Sequence, residues 1–284
     1  MDKPTNIGGL RTKGYFKKSL PQKPLVTVIT VVLNGGKYIE DTIKSVISQT
    51  YNNFEFIIID GGSKDGTVEI IKKYDDVIDY WVSERDEGIY DAMNKGIDLT
   101  SGDWVNFMNA GDRFYSDSVL SKIELWDEYE AIVFGDNFLV TGPNAQLLQK
   151  GKPLETSVMG MTFCHQSAFY NSRYCKRHKF NCTYAICSDY DFTLSIHKEG
   201  PARYVNGIIS VTSNKGISDS KRVRMVYENF LISKKHNQIN KINLLRFILL
   251  MLVTIIKESA KQLLPETVRE KLIDRKVKWM EKYQ

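Results

Sequence analysis

The sequence predicts an α/β fold: a Rossmann-like, doubly wound sheet over residues 25–215, preceded by a tail (1–24) and followed by a basic helical extension (216–284). Three observations predict it. Short runs of β-branched and aromatic residues alternate with segments of helical period between Pro24 and Asp112, as parallel strands joined by crossover helices require. The early strands each stop at a loop rich in Gly, Asn or Asp, and in doubly wound sheets such loops form the ligand crevice. Charge divides at the same boundary: residues 1–214 hold 23 Lys/Arg against 27 Asp/Glu, whereas residues 215–284 hold 16 against 7.

Residues 1–24 scatter Gly, Pro and Lys around Tyr15-Phe16 without a period, and read as a tail with at most local packing. No apolar run follows the first basic residues, so no export leader is expected and the protein is placed in the cytoplasm. Leu25–Leu33 reads as a buried strand ended by Asn34-Gly35-Gly36. Ile39, Ile43, Val46 and Ile47 recur at helical spacing, and Phe54–Ile59 forms a second strand stopping at Asp60-Gly61-Gly62-Ser63. Val68–Tyr74 is read as a helix, Ile78–Val82 as a strand, Tyr90–Leu99 as a helix and Trp104–Met108 as a strand. Beyond Asp112 the pattern loosens, with strands expected at 131–134, 167–170 and 203–209 and a helix at 189–198. The four cysteines (Cys164, Cys175, Cys182, Cys187) form no C-x-x-C pair and are read as free thiols.

A parallel sheet would bring together the loops Asn34-Gly35-Gly36, Asp60–Thr67, Glu84–Gly88 and Asn109–Asp112. Asp60 can accept a hydrogen bond from a base imide or a ribose hydroxyl, and the glycines after it permit close backbone approach to a ligand. The same residues also suit turns and caps, Ser63 or Asp65 as an N-cap and Asp112 capping a helix after Arg113.

The strand Val26–Asn34, the loop Asp60-Gly61-Gly62-Ser63-Lys64-Asp65-Gly66-Thr67 and the stretch Ser83-Glu84-Arg85-Asp86-Glu87-Gly88-Ile89-Tyr90-Asp91-Ala92-Met93-Asn94-Lys95-Gly96 resemble family 2 glycosyltransferases, with the similarity covering roughly residues 25–215. The subgroup it resembles builds bacterial capsules, lipopolysaccharide O-antigens and other exopolysaccharides. The resemblance implies the A-type glycosyltransferase fold, a nucleoside-diphosphate sugar donor (a UDP-sugar is expected), Mn²⁺ or Mg²⁺ as cofactor, and inversion at the anomeric carbon. It further implies that Asn34, Asp60, Asp86, Asn94, Lys95 and Asn109 contact the nucleotide, and that Asn109-Ala110-Gly111-Asp112 stands at the family's Asp-x-Asp region. Here Asn109 and Gly111 replace acids, leaving Asp112 as the metal-binding carboxylate. One carboxylate can hold Mg²⁺ when phosphate oxygens and waters complete its octahedron.

Direct displacement also needs a base for the acceptor hydroxyl. Ser188-Asp189-Tyr190-Asp191-Phe192 matches the family's Glu-Asp region and puts Asp189 on that role, with Asp191 in reserve; both acids also suit the positive end of a helix dipole. His165 can bind acceptor hydroxyls, offer an imidazole to the metal, or serve as a hydrogen-bonded core histidine. Lys215, Ser218 and Arg222 belong to a basic stretch that either closes over the diphosphate or remains a solvated turn. A catalytically weakened sugar-nucleotide binder is the competing reading. A dinucleotide oxidoreductase has little support, because Asn34-Gly35-Gly36-Lys37 is no G-x-G-x-x-G turn.

The apolar run Phe247–Ile256 is shorter than the roughly 20 residues a spanning helix needs. With Lys241, Arg246 and Lys257 around it, the segment 241–261 suits a helix lying in a membrane surface, which would bring the site to a lipid-linked acceptor; an oligosaccharide acceptor and packing against the domain or a second copy remain open. Nucleic acid is not expected as a partner, because the cations accompany aliphatic residues rather than aromatic stacking platforms.

Overall fold

The computed structural model describes residues 6–125, 129–142, 145–213 and 221–263. Its first half is a parallel sheet made of β2 (Val26–Val32), β3 (Phe54–Asp60), β4 (Tyr80–Ser83) and β5 (Trp104–Phe107), in the order β4-β3-β2-β5. All seven residues of β2 and of β3 are buried, which is why these strands read as unbroken apolar runs. Alternate residues serve opposite faces. Val26, Val28, Phe56 and Ile58 pack under α1 (Ile39–Ile47) and α2 (Thr67–Lys72), while Ile29, Ile57 and Ile59 pack under α3 (Ile89–Leu99).

The second half departs from the doubly wound pattern. β9 (Ala168–Asn171) runs antiparallel to β5 and to β7 (Ile132–Val140), β10 (Ala202–Ser213) is parallel to β7, and the two-residue β6 (Arg113–Phe114) closes the far edge antiparallel to β10; β8 (Gln146–Gln149) hangs on β7. The sheet is therefore mixed. Between β5 and β6 lies only the turn 108–112, too short for the crossover that a parallel return needs.

The leading segment corrects the expectation of a loosely packed tail. β1 (Asn6–Gly8) pairs antiparallel with β4, and the Arg11 guanidinium bonds the buried Glu55 carboxylate, Leu99 C=O (2.7 Å) and Ser101 Oγ (3.0 Å). Gly8 crosses the face of Trp81 so closely that a Cβ there would overlap both the indole and the Asp75 carboxylate. Three residues of strand carry no readable period, and this packing depends on partners roughly 45 to 90 residues away.

On the other side of the sheet, α6 (Ser188–His197) is flanked by α7 (Arg222–Lys235), and α8 (Lys241–Leu263) packs on α7 with the Phe230 and Phe247 rings 4.5 Å apart. Asn243 and Phe247 are buried in that contact and Met251, Thr254 and Glu258 half-buried. Ile242, Leu245, Leu249, Leu252 and Ile256 are each more than half exposed and lie within about 80° of one another at 100° per residue; with the exposed Leu244, Ile248, Leu250, Val253 and Ile255 the bare aliphatic arc covers roughly two thirds of the circumference. Among the described residues no helix is long and apolar enough to cross a membrane.

Candidate active site

The carboxyl ends of β2, β3, β4 and β5 meet as the parallel topology requires, and polar side chains knit their loops together. Asn34, at φ 51°, donates its N–H to Ser63 Oγ (2.7 Å), and its Oδ1 accepts from Lys64 N–H (3.0 Å). Asp60 is fully buried. Its carboxylate accepts from Gly62 N–H (3.1 Å), Ser63 N–H (2.9 Å) and Ser83 Oγ (2.6 Å), so it organises the loop from beneath. Asp86 lies against Gly61, where a Cβ would overlap its carboxylate, and accepts from Gly88 N–H (2.9 Å); burial pushes its carboxyl above the usual carboxylate range.

Two sequence-predicted residues have other structural duties on α3. Asn94 clasps the Phe180 backbone, accepting its N–H (2.8 Å) and donating to its C=O (2.9 Å). Lys95 lies 2.9 Å from the Glu84 carboxylate and 3.5 Å from Asp91, and donates to Arg85 C=O (3.0 Å).

Beside these loops opens a cavity of about 1610 Å³. Asn109, Asp112, His165 and Asp189 line it; Asn34, Asp60, Asp86, Asn94 and Lys95 do not. It extends from Leu33 after β2 and Tyr38 at the start of α1 to Met225 and Asn229 on α7, so the basic extension forms one wall. Thr42 of α1 fixes the Asn109–Asp112 turn, donating to Asp112 C=O (2.8 Å) and accepting from Gly111 N–H (3.0 Å). Since Arg113–Phe114 is a strand, no helix begins there for Asp112 to cap.

Asp112 is 8% exposed; its Oδ2 accepts from Gln166 Nε2 (2.7 Å) and its Oδ1 from Ser213 N–H (3.3 Å). Burial pushes its carboxyl up to about 6, only partly offset by Gln166 and His165. His165 sits in the short 3₁₀ turn before β9 and joins the two halves of the site, with Nε2 3.3 Å from Asn109 Nδ2 and Nδ1 3.4 Å from Asp189 Oδ2. The Asn109 amide nitrogen is turned to Nε2, and Nδ1 is the ring nitrogen on the Asp189 side. The arrangement leaves the buried Asn109 Oδ1 without a partner. Asp189, in the first turn of α6, is one-fifth exposed and faces the cavity.

Asp191 faces the opposite way. Its carboxylate meets Lys235 Nζ (2.8 Å) and His236 Nε2 (2.8 Å). Burial opposes its charge, yet these two partners hold its carboxyl below the usual range, so it fastens α6 to α7 and is removed from the cavity. Lys215 and Ser218 lie outside the described residues, while Arg222 begins α7 away from the cavity wall. Sequence reasoning missed Glu228, the single acid between Lys221 and Lys257, whose isolation in a basic stretch was the available signal.

No group of three or more His, Cys, Asp or Glu is arranged as a metal cluster among the described residues. The donors present are the Asp112 carboxylate and the unpartnered Asn109 Oδ1, two hard oxygens on one short turn. That set fits Mg²⁺ or Mn²⁺ held mainly by a ligand's phosphates and not a closed protein cage. His165, with Nε2 turned to Asn109, contributes nothing to it in this arrangement.

The family model Glycosyl transferase family 2 matches residues 27–195. A PGL/p-HBAD biosynthesis glycosyltransferase of Mycobacterium tuberculosis (strain ATCC 25177 / H37Ra) is 28% identical over 179 residues, covering 60% of this chain and 69% of the relative. A Bacillus subtilis (strain 168) protein named for a teichuronic acid biosynthesis glycosyltransferase, TuaG, is 35% identical over 136 residues, 47% of this chain and 52% of its own. Among solved structures, the mannosyltransferase PcManGT of Pyrobaculum calidifontis, in complex with GDP-Man and Mn²⁺, superposes with a TM-score of 0.59 at 18% identity, over 82% of this chain and 70% of that one. S. aureus TarS 1–349 in complex with UDP gives 0.55 at 17% identity, over 72% of this chain and 64% of that chain, just under two thirds of its length.

Proposed function

The chain belongs to glycosyl transferase family 2, and from that premise we propose that it transfers a sugar, with inversion, from a nucleoside-diphosphate donor to a hydroxyl of a lipid-linked acceptor during bacterial surface-polysaccharide synthesis. The observation that carries the proposal is that Asp112 and Asp189, from opposite halves of the fold, open into one cavity with His165 between them. Asp189 takes the acceptor's proton as the acceptor oxygen bonds to the anomeric carbon and the bond from that carbon to the diphosphate breaks. His165 orients the Asp189 carboxylate through its Nδ1 edge. Asp112 and Asn109 Oδ1 are the groups suited to hold Mn²⁺ or Mg²⁺, which when bound would offset charge on the departing diphosphate. The loops knit by Asn34, Asp60 and Asp86 stand beside the cavity and hold the carboxyl ends of the strands together, while these three side chains stay outside its lining.

A lipid-linked acceptor is favoured over a free oligosaccharide because one cavity wall is α7, which carries the bare aliphatic arc of α8. Seated on the cytoplasmic membrane face, with Lys241, Arg246 and Lys257 exposed for anionic headgroups, α8 would bring the cavity to a substrate that stays in the bilayer. The test is isothermal titration of the full chain with UDP, GDP and dTDP, with and without Mn²⁺, beside a turnover assay. Metal-dependent binding of one nucleotide, lost in Asp112→Ala, together with loss of turnover but retained binding in Asp189→Asn, is the expected result. Absence of binding to all three removes the donor site, and binding without turnover of any donor by the parent protein leaves a sugar-nucleotide binder.

A further inference from the structure

We propose that Glu228 is a positioning residue for the catalytic base, holding from α7 the backbone that presents Asp189. The inference rests on Asp189 as the base. The Glu228 carboxylate is buried and accepts three consecutive backbone N–H groups, from Ala185 and Ile186 (2.9 Å each) and Cys187 (3.0 Å). Cys187 is the N-cap of α6, and its own side chain makes no capping bond. These amides lie ahead of the first turn, where no helical carbonyl reaches them, and the Glu228 carboxylate supplies their acceptor. Glu228 does so from 41 residues further along the chain, two residues short of Asp189. A single carboxylate with three amide donors fixes both the direction and the rotation with which the backbone enters α6.

The carboxylate is itself held. Arg224, one turn earlier on α7, donates Nε to it at 2.8 Å. Burial opposes its charge, but the Ala185 N–H, Arg224 and the two following amides keep the carboxyl below the usual range, so it is an anion at neutral pH. Two further ties hold the same turn of α6: the Tyr190 hydroxyl meets Ser157 C=O (3.0 Å) and Gln238 Oε1 (2.9 Å), and Asp191 bonds Lys235 and His236. The Tyr190 hydroxyl and the Asp191 carboxylate are thus held by groups before and after α6, while Asp189 faces the cavity. An amide in place of the carboxylate cannot reproduce the site, because its NH₂ would confront a backbone N–H.

The experiment compares Glu228→Gln and Glu228→Asp with Asp189→Asn in steady-state turnover, nucleotide titration and thermal melting of the full chain. Glu228→Gln is expected to lower kcat by about 10- to 100-fold through misplacement of the base, with nucleotide affinity unchanged. Glu228→Asp, which keeps the charge but withdraws it by one methylene, should show a smaller fall. A lowered melting temperature with parental kcat would overturn the proposal, as would kcat and nucleotide affinity falling together, for either is the mark of general loosening. Should Glu228→Gln fail to fold, Glu228→Asp decides by the same criteria. Parental turnover in Asp189→Asn would instead overturn the base assignment; loss of turnover there with parental kcat in Glu228→Gln would overturn the Glu228 proposal alone.

Discussion

Replacing Asp112 by Asn should stabilise the free protein and disable the liganded one, and the two effects should cross with pH. Burial raises the Asp112 carboxyl from 3.8 to about 6, so the folded protein binds this proton more tightly than the unfolded chain does. The group's contribution to stability is therefore fully present below about pH 4, declines as pH rises and is lost above about pH 6. The whole displacement corresponds to about 3 kcal/mol, of which about 1.5 kcal/mol is lost between pH 5 and pH 8. Asn does not titrate. The melting temperature of Asp112→Asn minus that of the parent should then grow by about 3 °C over that interval. Adding Mn²⁺ and the cognate nucleotide at about 1,000 times the dissociation constant should stabilise the parent by about 4.1 kcal/mol, more than that displacement, and leave the variant nearly unmoved, reversing the order of melting at pH 8. Differential scanning fluorimetry across pH, with and without ligand, reads both effects. A gap that stays flat with pH would mean the carboxylate is already ionised and hydrated, and equal ligand stabilisation of both proteins would remove Asp112 from the binding site.

Two further outcomes follow from the packing. Gly8→Ala should destabilise by about 1–3 kcal/mol through overlap with Trp81 and Asp75, measured by urea unfolding, while nucleotide affinity stays parental because β1 lies apart from the cavity. Leu245→Glu with Leu249→Glu should abolish co-sedimentation with anionic lipid vesicles and change stability by less than about 1 kcal/mol in solution, since both side chains are exposed; undiminished vesicle binding would detach α8 from the membrane role.

The parallel half-sheet was legible because its chemistry is local: Val26–Val32 and Phe54–Asp60 are buried on both faces, and α1 and α3 keep a clear apolar stripe. The second half was legible in placement but not in extent or direction. β10 runs twelve residues although its first half alternates irregularly between half-buried and exposed, and antiparallel β9 has no signature that distinguishes it from a parallel strand. At the site, Asn109, Asp112, His165 and Asp189, picked out by their motifs, line one cavity. Asn94 and Lys95 were harder to interpret. Their carboxamide and ammonium suit a nucleotide as well as they suit Phe180 and Glu84, and only the three-dimensional neighbours distinguish the two. Glu228 escaped for the same reason, its partners lying about forty residues upstream.

The antiparallel pairing of β1 with β4 carries a consequence for biosynthesis. Ile7 leaves the ribosome before every strand of the parallel sheet, yet its partner Val82 is made 75 residues later. β1 therefore waits unpaired until β4 emerges, and until the two pair, the free N–H and C=O groups along the β4 edge can template pairing with a neighbouring nascent chain. Arg11 reinforces the closure by reaching the buried Glu55, an acid that would otherwise be left without a cationic partner beneath the sheet edge. The segment thus acts as a latch drawn across the sheet once its core strands are in place, and its cost when damaged would appear as self-association during expression more than as lost activity.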